Sequence, residues 1–368
     1  MSTVAERAHT ARVAATAASG PLAARLMSLD VFRGLTMASM VMVNNQREGA
    51  YPPLRHAAWD GITFTDLVFP FFLWIVGVAF TFSTARRMEK GEDRGQLLKH
   101  AAKRAAIIFG IGLLLNGFPS YNLGSLRIPG VLQRIALCYL AATAIFLYTE
   151  LRGRIMWTVG LMLTYFVLMH PGGYQIDSNL SDRLDRLLLS GHLYTPTRDP
   201  EGTVSTLTAI ATVMFGILTG HLLRARIGNM ARLVWLLGGG VALLLTGLAL
   251  DPFQPINKNL WTVPYTLVTA GWASIVFGLT YWVCDVRKLT GRWSKPFAIL
   301  GMNAMAVYIF HGLLGRLFSM TGLRVSVYDV FARVLDTPSA ALSYSLVHVA
   351  ASLAFAWLLY RQRWFLKF

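Results

Sequence analysis

A histidine and two carboxylates lie together in a short polar stretch that leads directly into a long apolar run. His56, Asp60 and Asp66 precede the apolar residues 67–85. Ionisable groups are costly inside a bilayer and cheap at its edge, so their presence at the mouth of a membrane helix indicates chemistry. Imidazole can remove a proton near neutral pH, and a carboxylate can hold its second nitrogen. The stretch predicts a base, His56, oriented by Asp66 or Asp60. A plain helix N-terminal charge is the alternative role for Asp66.

The elements that must position these side chains are membrane helices. Mean hydropathy is +0.49 and charged residues make up 14% of the chain. Because a spanning helix needs roughly 20 mainly apolar residues, we predict an all-α, polytopic membrane helical bundle. We expect about ten spans, with a range of nine to eleven, at 34–45 (extended back towards 29), 66–85, 101–117, 128–148, 155–170, 204–223, 231–250, 262–284, 296–318 and 340–360.

The positions of Lys and Arg predict which side of the membrane each loop occupies. With loops assigned alternately from a cytoplasmic N-terminus, inside segments hold 22 of the 34 basic residues and outside loops hold nine. This satisfies the positive-inside rule with both termini in the cytoplasm. The net charge of +16 is then a topology signal, and it argues against nucleic-acid binding because the basic residues flank spans instead of forming one face.

Two regions complete the expected organisation. Residues 1–26 lack an apolar core and predict a disordered cytoplasmic tail, followed by a transmembrane domain over 27–368. The long outside loop at about 171–203 is polar and acidic, and its middle, 181–189, is apolar enough for a short interfacial helix.

Polar residues inside the predicted spans need partners. Arg33 follows Asp30 by three residues, a helical spacing that puts both charges on one face and predicts an ion pair. Arg134 lies about a turn and a half into the fourth span, where it requires a carboxylate, a phosphate or water. Asp66 lies at similar depth, so we predict that Arg134 pairs with it, with cofactor binding by Arg134 as the alternative.

The ninth predicted span holds a second polar pair. Asn303 and His311 lie eight residues apart, just over two helical turns, so their side chains are expected to share one face and line the bundle. Interhelical hydrogen bonding alone is the other interpretation for both residues.

At this point the chain resembles a known family. Blocks in family order are similar to the heparan-α-glucosaminide N-acetyltransferase family: SLDVFRGLT (28–36), VNN (43–45), HAAWDG (56–61), DLVFPFF (66–72), RIPGVLQR (127–134), PINKNLWT (255–262) and GMNA (301–304). The resemblance covers roughly residues 27–311. It implies that His56 is the catalytic histidine. The short segment ahead of the first span resembles bacterial homologues that lack a luminal domain, which implies a bacterial cytoplasmic (inner) membrane.

The resemblance also implies the substrates. The donor is cytosolic acetyl-CoA, a co-substrate, and the acceptor is the amine of an amino sugar or glycan on the outer side. We expect no metal. The other expected partners are the lipid bilayer and a second copy of the chain in a homodimer. Expected cofactor-binding residues are Arg33, Lys103, Arg104, Arg134 and Asn303, and expected substrate-binding residues are Asn44, Asn45, Trp59, Lys258 and Asn259.

Some alternatives stay open at this stage. Trp59 can stack on a sugar or anchor a helix at the interface, and Lys258 can contact a substrate or be a solvated loop residue. His56 can act as a base in a ternary complex, or it can carry the acetyl group itself. The rival functions are a secondary transporter, favoured by the intramembrane polar residues and a helix broken near Pro70 and Gly77, and a non-catalytic scaffold.

Overall fold

The computed structural model describes residues 26–365, and this part of the chain is entirely helical, with no strand. The expected tail over 1–26 therefore lies outside the described residues, except for Leu26. In chain order the thirteen described helices are α1 (Met27–Asn44), α2 (Phe64–Glu89), α3 (Arg94–Gly117), α4 (Val131–Tyr148), α5 (Leu151–Met169), α6 (Leu180–Leu189), α7 (Ser205–Arg224), α8 (Asn229–Leu250), α9 (Val263–Tyr281), α10 (Ser294–Met302), α11 (Ala304–Met320), α12 (Leu323–Ala332) and α13 (Thr337–Arg361).

The helices confirm the predicted polytopic membrane bundle. Among the described residues, α2, α4, α5, α7, α8, α9 and α13 are long and apolar enough to cross a membrane, and α10 with α11 gives an eighth span if the bent pair counts as one. Two further predicted spans fold as helices α1 and α3 but fail this test. Asp30 and Arg33 reduce the apolar character of α1, and Lys103 and Arg104 do so in α3. The count of ten therefore stays a prediction.

One predicted span is not a single straight helix. The axes of α10 and α11 meet at 86°, and Asn303 stands at the break with φ −119° and ψ 32°. Its carbonyl begins α11 by accepting from the Val307 amide, and its side-chain amide donates to the Trp364 carbonyl at 3.2 Å. Asn303 and His311 therefore do not share one helix face, because the polar amide ends one helix and starts the next.

Helix α2 forms the centre of the bundle. Its apolar window is 72% buried within the protein, against 17% for the α5 span and 22% for α8, so α5 and α8 lie at the periphery of the bundle with most of their surface facing outwards. Helix α2 packs along α7, where Gly77 and Gly216 face each other. A methyl group on either glycine would overlap the backbone of the opposite helix. The two missing side chains therefore allow α2 and α7 to make direct backbone contact.

The loop between α5 and α7 contains the predicted short helix. Helix α6 begins after Asn179, whose side chain accepts from the Asp182 amide at 2.9 Å. From α6, Asp185 accepts from the backbone and the hydroxyl of Thr203 at 2.8 and 2.7 Å. Asp185 thereby ties the middle of the loop to the start of α7.

Candidate active site

The site is built where α2, α4, α7 and α9 begin, an end of the bundle that we call the His56 end. Asp66 lies in the first turn of α2, and its side chain is only 1% exposed. One carboxylate oxygen, Oδ2, accepts from the amides of Ala57 and Thr63 and from the Thr63 hydroxyl at 3.0–3.1 Å. These donors fix the carboxylate, and they leave its other oxygen for a different partner.

That partner is His56. The distance from His56 Nδ1 to Asp66 Oδ1 is 2.7 Å, and the imidazole side chain is 52% exposed. A carboxylate at Nδ1 favours the tautomer with its proton on that nitrogen, so Nε2 presents a lone pair. The arrangement has the geometry of a general base held by an orienting carboxylate.

Lys258 is the third charged group of the site. Its Nζ lies 2.9 Å from Nδ1 and 3.1 Å from Nε2 of His56, and 3.8 Å from the Asp66 carboxylate. Burial lowers the pKa of Lys258, and the charge of Asp66 opposes that effect. The lysine side chain is therefore largely buried beside the imidazole, and it is not a freely solvated loop residue.

Asp60 has a different role from Asp66. Its Oδ1 accepts from the side-chain amide of Asn257 at 3.1 Å, so it joins the His56 loop to the loop that carries Lys258. The other side-chain atom of Asn257, Oδ1, accepts from the Leu260 amide at 2.9 Å. Of the two carboxylates expected to orient His56, the structure places Asp66 against it, and Asp60 organises the neighbouring loop.

Trp261 holds the Lys258 loop against the core, a role that the sequence analysis missed. Its backbone has a left-handed φ of +50°, and the residue is 1% exposed. Its indole N–H donates to the Thr212 hydroxyl at 3.1 Å, and its ring packs against Phe69 and Tyr265. A bulky residue takes this backbone conformation only when its surroundings impose it.

The predicted pairing of Arg134 with Asp66 is wrong. The Arg134 guanidinium donates to the Gly202 carbonyl at 3.0 Å and to the Ser205 hydroxyl at 2.5 Å, and it lies 5.0 Å from the ring centroid of Trp261. The prediction rested on the similar depth of Arg134 and Asp66 in the bundle. The Arg134 side chain instead points from α4 towards the start of α7. Arg134 is 1% exposed, so it is a buried residue that links α4 to the start of α7 through hydrogen bonds.

The acidic loop before α7 covers the site, and the sequence analysis gave it no functional residue. Arg127 binds Asp199 at 2.7 and 2.9 Å and Glu201 at 2.5 Å. Burial disfavours the Arg127 charge, but the two carboxylates outweigh it and raise the pKa of Arg127. This contact could have been predicted from two features of the sequence, the acidic residues of the loop and the arginine of the RIPG block, because opposite charges favour pairing.

A cavity of about 390 Å³ opens beside His56. We call it the His56 cavity. Polar and charged residues form much of its wall: Asn44, His56, Thr65, Arg127, Tyr194, Arg198, Glu201, Lys258 and Asn259. Three of the five predicted substrate residues, Asn44, Lys258 and Asn259, therefore lie with His56.

Two other predicted substrate residues lie outside this wall. The Trp59 indole donates to the Tyr174 carbonyl at 3.0 Å, and the Arg198 guanidinium lies 5.1 Å from its ring centroid. Trp59 therefore supports Arg198, which does line the cavity. Asn45 donates to the Val41 carbonyl at 2.8 Å and lines a separate pocket between α1 and α11.

Basic residues gather at the opposite end of the bundle, which we call the Arg33 end. Arg33 lies 3.7 Å from Asp30, as predicted, and lines a cavity of about 690 Å³ together with Arg104. Arg104 also lines a neighbouring cavity of about 360 Å³ with Lys103, Arg87 and His100. Three of the five predicted cofactor residues therefore meet here. Arg134 does not, and Asn303 stands at the helix break beside this wall.

Comparison with known proteins shows the family of this chain. The family profile described as "Heparan-alpha-glucosaminide N-acetyltransferase, catalytic" matches residues 25–237. The chain is similar to the heparan-alpha-glucosaminide N-acetyltransferase of Mus musculus, with 30% identity over 80% of this chain and 54% of that protein. It is 29% identical to the Homo sapiens protein of the same name, over 93% of this chain and 60% of that protein. The chain thus spans little more than half of the relatives' length. It belongs to the heparan-alpha-glucosaminide N-acetyltransferase family.

Proposed function

We propose that this integral membrane protein transfers an acetyl group from acetyl-CoA to the amine of an amino sugar. The observation that carries the proposal is the 2.7 Å contact between His56 and the buried Asp66 carboxylate, in a polar cavity at one end of the bundle. The names of the similar mouse and human proteins support the reaction class and the amino-sugar acceptor.

The chemistry assigns one role to each member of the site. A protonated amine has no lone pair and cannot attack a thioester, so His56 Nε2 removes one proton from the acceptor ammonium before the nitrogen attacks and the new C–N bond forms. Asp66 holds Nδ1 and stabilises the imidazolium that results. Lys258, beside the imidazole, favours developing negative charge on the thioester oxygen. The C–S bond then breaks, and CoA leaves as a thiol with the second proton that the acceptor nitrogen loses, while His56 returns the first proton to solvent.

The donor is proposed to enter at the Arg33 end. Phosphate groups require cationic partners, and Arg33, Arg104, Lys103, Arg87 and His100 line the two adjoining cavities there. The path to the reaction centre follows α1, since Arg33 lines the first cavity and Asn44 lines the His56 cavity. Eleven residues of helix separate them, a distance of about 16 Å. An extended acyl arm along α1 and α2 brings the thioester towards His56.

The acceptor is proposed to bind in the His56 cavity. Asn44 and Asn259 offer amide donors and acceptors for sugar hydroxyls, and Glu201 offers a carboxylate for an ammonium group before deprotonation. Arg198, supported by Trp59, contributes a further donor from the loop that covers the site.

Two routes use this geometry. In a ternary complex, the amine attacks the thioester directly while His56 accepts its proton. In the covalent route, His56 Nε2 takes the acetyl group, CoA leaves, and the amine then attacks the acetyl-imidazole. Mass spectrometry of the purified protein mixed with acetyl-CoA alone separates them, because only the second route adds an acetyl group to the peptide that contains His56.

The proposed setting is a bacterial cytoplasmic membrane with the Arg33 end inside. The asymmetry of basic residues supports this sidedness. Acetylation on the outer face by cytosolic donor then becomes a transmembrane reaction. Assembly of the protein into a homodimer remains a prediction.

The deciding experiment measures acetyl-CoA turnover by the purified protein against a panel of amino sugars, with His56→Ala as the matched control. Radiolabel that appears on an amino sugar, and that disappears in the control, supports the proposal. Uptake of unmodified sugar into sealed vesicles, without acetylation, favours a transporter instead. Oriented vesicles test the sidedness: full activity with acetyl-CoA supplied only at the His56 end contradicts it.

A further inference from the structure

Lys258 brings a primary amine to the same imidazole nitrogen that has to deprotonate the acceptor. With the Nδ1 proton of His56 directed at Asp66, Nε2 accepts from the Lys258 ammonium at 3.1 Å. The ammonium group of an acceptor has to make this same contact before it loses its proton and attacks the thioester. The lysine nitrogen therefore lies where the reacting nitrogen of an acceptor belongs.

The loop that carries Lys258 holds this amine in the His56 cavity. The Lys258 carbonyl accepts from the amide of Trp261 at 3.1 Å, and the side chain of Asn257 ties the loop to Asp60. The Lys258 side chain is 19% exposed and lines the cavity. Because the backbone is fixed and the side chain is mostly enclosed, Nζ stays within reach of any group that binds beside His56.

The charges around Nζ allow the amine to lose its proton. Asp66 lies 3.8 Å from Nζ, whereas Glu201, which also lines the cavity, is held by Arg127 at 2.5 Å. Arg198 is a further cation on the cavity wall. Burial lowers the pKa of Lys258, and the attraction of Asp66 opposes this effect. A neutral, nucleophilic amine therefore forms more readily at Lys258 than at an exposed lysine.

We propose that Lys258 is a self-acetylation site, through which acetyl-CoA inactivates the protein in the absence of an acceptor sugar. The inference rests on the proposed function, because a thioester within reach of an acceptor nitrogen at His56 Nε2 is equally within reach of the lysine nitrogen there. A bound acceptor takes the place of the Lys258 ammonium at Nε2. Acceptor sugar should therefore protect the lysine from modification.

The step forms and breaks the same bonds as the proposed transfer to a sugar. His56 Nε2 removes one proton from the Lys258 ammonium and later returns it to solvent. Nζ then attacks the acetyl carbonyl carbon, a C–N bond forms, the C–S bond breaks, and CoA leaves as a thiol with the second proton from Nζ. The product is a neutral amide, which does not pass its acetyl group on. Acetylation thus removes the cation beside His56 and fills part of the cavity.

Peptide mass spectrometry of the purified protein, incubated with acetyl-CoA and no sugar, tests the site. We expect one acetyl group on the peptide that contains Lys258. This adduct should resist hydroxylamine, which removes acetyl groups from imidazole and leaves amides intact. In His56→Ala the modification should be at least about 100-fold slower, the lower limit for loss of a general base. The exposed Lys288 reports spontaneous acetylation and should react equally in both proteins.

The loss of activity should follow the modification. Wild-type protein that has been fully acetylated at Lys258 should lose about 10²–10³-fold in kcat, the usual effect of removing one electrostatic donor. Lys258→Arg should lose less than about 2-fold of its own starting activity in the same incubation, because a guanidinium stays protonated and is not a nucleophile. Lys288→Gln is the matched control and should be inactivated like wild type. Glucosamine at saturating concentration should prevent the inactivation of both.

The outcomes separate self-acetylation from the proposed reaction. Acetylated glucosamine together with unmodified Lys258 would overturn self-acetylation and leave the proposed reaction standing. Acetylation of Lys258 that depends on His56, without acetylation of any amino sugar, would support the site and remove the amino-sugar acceptor. Equal modification of Lys258 in wild type and His56→Ala, or equal inactivation of wild type and Lys258→Arg, would also overturn self-acetylation. A protein that acetylates neither Lys258 nor a sugar would overturn both proposals.

Discussion

The Tyr265 hydroxyl donates to the backbone carbonyl of Asp66 at 2.6 Å. In a regular helix this carbonyl would accept from the amide four residues later, but that residue is Pro70, which has no N–H. Tyr265 therefore replaces the missing helical hydrogen bond, and it does so directly behind the carboxylate that holds His56. The contact ties the start of α9 to the first turn of α2.

This relationship predicts the effect of Tyr265→Phe. The variant leaves a buried carbonyl without a donor, which should lower the free energy of unfolding by about 1–3 kcal/mol. The looser first turn of α2 should also reduce kcat by about 10- to 100-fold, because small displacements of a catalytic group have large effects. Thermal unfolding and turnover with acetyl-CoA check both results.

The double variant Tyr265→Phe with Pro70→Ala provides the rescue. Alanine restores an amide donor to the Asp66 carbonyl, so stability and part of the activity should return. Tyr281→Phe is the matched control, since its hydroxyl binds Asn229 at the Arg33 end. If Pro70→Ala gives no recovery in the Tyr265→Phe background, the hydrogen bond is not the cause.

A second prediction concerns the base itself. His56→Ala should reduce kcat by about 10²–10⁴-fold, the usual contribution of a general base. Asp66→Asn should cause a smaller loss, because Nε2 stays in place while its tautomer and orientation are no longer enforced. His170→Ala, which removes an exposed histidine that stacks on Phe166, controls for histidine loss. Retention of more than about a tenth of wild-type turnover by His56→Ala would remove His56 from the reaction.

A third prediction follows from the lowered pKa of Lys258. Because the folded pKa lies below the ordinary value of 10.5, the unfolded chain binds more protons between these two pH values. The free energy of unfolding should therefore rise with pH across that window. Lys258→Met should remove this rise, and it should also remove an alkaline step in kcat/KM.

Lys258→Arg is the informative comparison for that step. Arginine keeps its charge throughout the accessible pH range, so its profile should also lack the alkaline step. Melting temperatures and kcat/KM from pH 7 to 10.5 provide the measurements. An unchanged step in both variants would assign it to another group.

A fourth prediction concerns Arg134. Its bonds to Gly202 and Ser205 hold the end of the covering loop at the start of α7. Arg134→Met should free this segment, lower stability by about 1.5–3 kcal/mol for each lost charged hydrogen bond, and increase limited proteolysis within 190–203. Acetyl-CoA affinity should stay within about 2-fold, since the side chain lies far from the Arg33 end. A large selective loss of CoA binding would instead make Arg134 a cofactor residue.

The helical fold and the contact between His56 and Asp66 could be predicted from the sequence, for identifiable reasons. Apolar runs predict spans, and His56 and Asp66 are close in sequence at a helix start, where local geometry brings them together. The amphipathic middle of the acidic loop predicted α6 in the same local way. These features depend on short-range patterns.

The contacts that the sequence did not predict, and the errors at Arg134 and Asn303, have a different origin. Lys258 and Tyr265 approach His56 and Asp66 from about 200 residues away, so only the packing of α9 and the loop before it against the start of α2 shows the contacts. Arg134 was assigned by depth, but depth does not give the rotation of a helix about its axis. Asn303 was placed on a straight helix because hydropathy continues through the break, although the backbone does not.

The contact between Gly77 and Gly216 restricts how this molecule can move. Rocking of α2 against α7, as alternating access requires, would separate two backbones that have no side chains to fill the resulting gap. Helix α2 forms part of the wall of both the His56 cavity and the Arg33-end cavities. These cavities therefore lie along one helix, and the proposed reaction requires the acetyl group to pass between them on the flexible arm of its donor, without a rocking motion of α2.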